Sequence, residues 1–159
     1  MAIHVTSSAF EEGGAIPKKF SCEGAEVSPP LAWSGVPPGV KSLAVICDDP
    51  DAPVARGVWD HWVLFGLPSD AVSLEEGIAK DKVLPNGAKQ GTNDGKFIGY
   101  QGPCPPEGSS HRYFFKVYAL DKELDVEPGI TKPELEKAME GHILAQGQLL
   151  GKYQRGQEN

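Results

Sequence analysis

The amino-acid sequence predicts a mostly β protein, a sandwich of two packed antiparallel sheets with one or two short helices. Three observations lead there. Glycine occurs 19 times and proline 14 times in 159 residues, a density of breakers that a helical bundle or coiled coil does not tolerate. Hydrophobic residues make up 40% of the chain, enough for a core and too many for a disordered segment. The strongest apolar runs are short, rich in β-branched residues and bounded by turn formers.

Taken in order, Ile3 to Thr6 and Ile16 to Phe20 read as short strands on either side of a turn at residues 11–14. Residues 27–38, VSPPLAWSGVPP, carry prolines at 29, 30, 37 and 38 and must cross the molecule in an extended, irregular course, with Trp33 as a core anchor. Lys41 to Asp48 and His61 to Leu67 are continuous apolar runs, suited to strands buried on both faces. Arg112 to Leu120 alternates, with Tyr113, Phe115 and Val117 on one face and Phe114, Lys116 and Tyr118 on the other. Between them, Gly77 to Ser110 is a long glycine-rich connection of the kind that carries function or stays disordered. Thr131 caps a helix with Pro133 and Glu134 in its first turn, Leu135, Ala138 and Met139 as its apolar stripe, and Gly141 as its stop. Ile143 to Tyr153 reads as a last strand. No repeat or change of composition divides the chain, which is expected to form one domain over 1–159.

A net charge of −7 argues against a nucleic-acid partner, which needs a surplus of Lys and Arg, and against attraction to an anionic membrane surface. No run approaches a membrane span. The N-terminus has neither a basic segment nor a long apolar stretch to form a signal peptide, so a cytoplasmic location is expected. Cys22, Cys47 and Cys104 are odd in number and widely spaced, so neither a disulfide framework nor a structural zinc site is expected.

Three places hold polar residues that folding alone explains poorly. Asp48-Asp49-Pro50-Asp51-Ala52-Pro53 ends a buried strand with three carboxylates that repel one another unless hydrogen bonds or cations hold them. It reads as a turn, or as a rigid device that aims a carboxylate into a cavity. Trp59-Asp60-His61-Trp62 opens the next strand; a lone histidine there is a satisfied core residue unless a carboxylate lies close to it in space. Gly99 to Tyr113 combines glycines that let backbone approach a ligand, prolines that stiffen the loop, and a same-side pair, His111 and Tyr113, on the strand that follows. A two-histidine, one-carboxylate metal site from His61, His111 and Asp49, and a Cys104 nucleophile beside His111, are both open by residue type. Gly91 to Phe97 lacks the spacing of a phosphate loop, and neither a Gly-x-Ser-x-Gly elbow nor a His-Glu-x-x-His helix is present.

DPDAP at 49–53, Trp-x-His at 59–61 and GYQGPCPPEGSSHRYFF at 99–115, supported by VSPPLAWSGVP at 27–37 and AMEGHILAQGQLLGKY at 138–153, together resemble the phosphatidylethanolamine-binding protein family. The resemblance is to its bacterial and archaeal Raf-kinase-inhibitor-like branch, and covers nearly the whole chain. It implies a sandwich of a large and a small antiparallel sheet with short peripheral helices. It also implies a small cavity at one end that accepts phosphate-type headgroups without a cofactor. Residue by residue, it assigns Asp49, His61, His111 and Tyr113 to the pocket, Trp59, Gly102, Pro103 and Pro106 to its wall, and Asp51 to its support. It places a cis bond at Ala52–Pro53. Cys104 within the proline run matches the prokaryotic branch, and an end at Asn159 leaves no room for the C-terminal helix that lies by the pocket in mammalian members. The function implied is binding of a phosphate or phospholipid headgroup. The alternatives are inhibition of a kinase or serine protease through the same pocket, and histidine-dependent ester hydrolysis. A homodimer is implied by resemblance alone.

Overall fold

Long-range β pairing dominates the architecture, as the short apolar runs require. The computed structural model describes residues 2–157. The strands are β1 (His4–Thr6), β2 (Gly14–Ala15), β3 (Leu31–Ser34), β4 (Ser42–Asp49), β5 (Trp59–Pro68), β6 (Ser73–Leu74), β7 (Lys89–Gln90), β8 (Ser110–Leu120) and β9 (Ile143–Gln154), with one helix, α1 (Lys132–Met139). A small sheet has the order β1-β3-β6, and a large sheet the order β2-β9-β8-β4-β5-β7. The named strands pair antiparallel except at one edge, where β2 runs parallel to β9; outside them Ala2 forms a parallel bridge to Gln146.

The large sheet has two buried faces, which explains why β4 reads as an unbroken apolar run: all eight of its residues are buried. On the inner face, Leu43, Val45, Cys47, Trp62, Leu64, Phe115 and Val117 pack against Val5, Leu31, Trp33 and Leu74 of the small sheet. On the outer face, Ala44, Ile46, Val63, Phe65 and Leu120 meet Leu135 and Met139 of α1. Trp33 is buried, its Nε1–H donating to the Ala71 carbonyl at 2.9 Å.

The helix begins as its sequence predicts, with a reciprocal capping box between Thr131 and Glu134. Residues 16–20 are different. The pairing is made by Gly14–Ala15 and is followed by a 3-10 turn at Lys18–Phe20, because Pro17 removes the donor a strand would need there. Two further expectations are corrected. The Ala52–Pro53 bond is trans, as are all peptide bonds among the described residues. Cys22 and Cys104 form a disulfide, their Cα atoms 5.4 Å apart across 82 residues of sequence. Spacing alone cannot show such a pair, because the fold brings the segment after the 3-10 turn against the glycine- and proline-rich loop, where Cys22 N–H donates to the Pro103 carbonyl.

Candidate functional site

The inner face of the large sheet ends in a cavity of about 420 Å³ where β4 stops and β5 and β8 begin. Alternation along β8 turns His111 and Tyr113 inward with Phe115 and Val117. On β4, Asp48 faces α1 and Asp49 the cavity. β5 reaches the same end through a bulge. Cys47 pairs with Trp62 and Asp48 with Asp60, so His61 is one residue more than β4 can match. The bulge turns His61 and Trp62 both inward and sends Asp60 to the outer face.

The three carboxylates of the turn are held separately, which answers the repulsion their spacing implies. Asp48 meets Lys132 at 2.9 Å and Lys116 at 3.0 Å on the outer face. Asp51 receives the Arg112 backbone N–H and its guanidinium, which holds its carboxyl below the usual range. Asp49 accepts from His111 Nδ1 at 2.7 Å and from the Asp51 backbone N–H at 2.8 Å. Lys132 also lies 3.0 Å from Asp60, itself 2.9 Å from Arg56. Burial alone would lower the Lys132 pKa, but the hydrogen bonds and charge of Asp48 and Asp60 outweigh it and hold it up.

Inside the cavity, His61 Nδ1 lies 2.7 Å from the Gln101 carbonyl. A carbonyl only accepts, so Nδ1 carries the proton and Nε2 of the neutral ring is a lone pair. Burial pushes the His61 pKa down, which keeps the ring neutral. His111 is fixed likewise, with Nδ1–H on Asp49, so both rings have their Nδ1 atoms committed. Tyr113 packs against both: its ring centroid is 5.2 Å from that of His61 and 6.5 Å from that of His111. Tyr113 is 1% exposed; its hydroxyl lies near enough to the Asp49 carboxylate to interact with it, but makes no well-formed hydrogen bond among the described residues. Burial and the Asp49 charge raise its pKa far above the tyrosine norm, so it stays a donor. No group of three or more His, Cys, Asp or Glu side chains among the described residues converges as metal ligands would.

A profile of the family described as Phosphatidylethanolamine-binding protein matches residues 6–154. The chain belongs to that family. It is 51% identical over 154 residues to a UPF0098 protein of Methanothermobacter thermautotrophicus, covering 97% of this chain and all of that one. Among solved structures, a Chlamydia trachomatis protein, CT736, described as a homologue of the family, superposes with a TM-score of 0.87 at 44% identity over 97% of this chain and 98% of that one. Escherichia coli YbcL, described as a member of the mammalian PEBP family, gives 0.89 at 34% identity over 97% and 99%.

Of the residues that the family resemblance assigned, Asp49, Trp59, His61, Gly102, Pro106, His111 and Tyr113 line this one cavity. Asp51 and Pro103 do not. Asp51 lies behind Asp49 on Arg112, and Pro103 is buried with its carbonyl on Cys22 N–H. Gly102 is required sterically: a Cβ there would sit 2.4 Å from the Phe20 carbonyl oxygen. The lining also holds residues that the resemblance did not assign, three of them with polar or sulfur groups, Gln101, Cys104 and Arg155. Gln101 binds His61 with its carbonyl and Trp59 Nε1 with its side chain at 2.7 Å; it stood inside the loop motif but looked like a spacer. Cys104 lines the cavity as a half-cystine, which removes it as a nucleophile. Arg155 arrives from just beyond β9, two residues past the segment 138–153 that supported the resemblance.

Proposed function

We propose that this member of the family is a receptor for small phosphate-type anions, phospholipid headgroups among them, and that its cavity binds them without turnover. Tyr113 carries the reading. A buried hydroxyl without a partner costs about 1–3 kcal/mol, and a ligand oxygen satisfies it. The neutral His61 Nε2 accepts from the protonated oxygen of a hydrogen phosphate. His111, held through Nδ1–H by Asp49, lines the same cavity. A phosphate group can meet donor and acceptor together. Thiol chemistry does not compete, since Cys104 is bonded to Cys22 and burial holds the Cys47 thiol protonated.

The test is titration calorimetry of inorganic phosphate and phosphoethanolamine against wild type and Tyr113→Phe. The variant should bind both about tenfold more weakly, the loss of one charge-assisted hydrogen bond. It should also melt at the same temperature or slightly higher, because an unsatisfied group has gone. Unchanged affinity in the variant removes the hydroxyl from the site, and a wild type that binds neither compound ends the reading.

A further inference from the structure

The cavity holds one fixed positive charge that this reading leaves unused. Arg155 is the only lysine or arginine in its lining. Its Nε–H donates to the Pro105 carbonyl at 2.8 Å, which pins the guanidinium against the pocket loop. A guanidinium has five N–H groups, so four remain, on the two terminal nitrogens. They have no hydrogen-bond or ion-pair partner among the described residues. The acid that Arg155 acts on, Glu23, is not in an ion pair with it; that carboxylate is engaged by the Tyr153 hydroxyl and the Gly156 N–H.

The negative side of the lining is the reverse. Asp49 is its only carboxylate, and His111 and the Asp51 N–H already occupy both its oxygens. For a ligand whose phosphate sits among His61, His111 and Tyr113, the lining offers its second polar group a planar fork of donors with no partner among the described residues, and an acid already hydrogen-bonded at both oxygens. Such a fork matches a carboxylate or a second phosphoryl group in two parallel hydrogen bonds. The Trp59 indole offers the competing contact, a face for an ammonium.

We propose that Arg155 is a specificity-determining residue, making the cavity favour phosphate compounds that carry a second acidic group over those that carry an ammonium. The inference rests on the phosphate reading above. Calorimetry with three probes separates the two: phosphoglycolate, phosphoethanolamine and inorganic phosphate, each against wild type, Arg155→Gln and Arg155→Lys. Wild type should bind phosphoglycolate about tenfold more tightly than phosphoethanolamine, the scale of one charge-assisted contact. Arg155→Gln should bring that ratio to within twofold of unity, weakening phosphoglycolate about tenfold more than phosphoethanolamine or inorganic phosphate. Arg155→Lys, a charge without the fork, should keep only part of the preference. A wild type without the preference overturns the proposal. So does an Arg155→Gln variant that weakens all three probes alike, because the side chain would then be a prop for the Pro105 loop. A wild type that binds none of the three sinks the phosphate reading as well, a result distinct from either.

Discussion

Replacing Asp49 with asparagine separates the two opposed things that carboxylate does. It accepts from His111 Nδ1 at 2.7 Å, which fixes the ring, and its charge repels any anion that enters. A unit charge about 4 Å away is worth about 4 kcal/mol at an effective dielectric of 20, so removing it should help an anion, while the asparagine Oδ1 still accepts from Nδ1–H. Sulfate is the probe, because its own charge is constant near neutral pH. For Asp49→Asn the sulfate Kd at pH 8, followed by calorimetry, should fall about tenfold, or about 1.4 kcal/mol, the part of that repulsion left after screening. Asp49→Ala, which removes the acceptor as well, should gain less. An asparagine variant that binds sulfate no more tightly than wild type would refute the idea that Asp49 opposes the anion.

Lys132→Met leaves Asp48 and Asp60 buried without the cation between them and should destabilise the fold by about 3–5 kcal/mol; chemical denaturation showing under 1 kcal/mol would mean that Lys116 and Arg56 suffice. Reducing the Cys22–Cys104 bond, or Cys104→Ser, opens a loop of 82 residues, about 4–5 kcal/mol on the chain-entropy account. The melting temperature should then drop by roughly 10 °C, and a shift below about 3 °C would point to native-like structure in the unfolded chain.

The strands that hold the site were legible because their apolar residues follow the pleat, and α1 because Thr131 and Glu134 make a local motif. His111 and Tyr113 could be placed on one side from their spacing alone. What escaped depends on contacts between distant segments. The disulfide needs the loop at 104 to meet the chain at 22, and Arg155 belongs to the cavity only because Tyr153 pairs with His111 across β8 and β9, bringing the residues after β9 to the same end. The trans Ala52–Pro53 bond is a matter of tertiary context that a dipeptide does not reveal. Residues 16–20 misled because their apolar ends look strand-like while Pro17 and two lysines stand between them.

The single surplus residue in β5 has a bearing on which changes this family can accept. Substituting a neighbour alters one side chain, whereas deleting one residue between Trp59 and Trp62 would restore even pairing and remove a site group. Deleting Asp60 would bring His61 opposite Asp48, on the face of Lys132 and out of the cavity, and deleting His61 would leave the cavity without its imidazole. Insertions and deletions at this end of the strand are therefore far more damaging than point changes, and the length of the segment constrains its evolution as much as its composition.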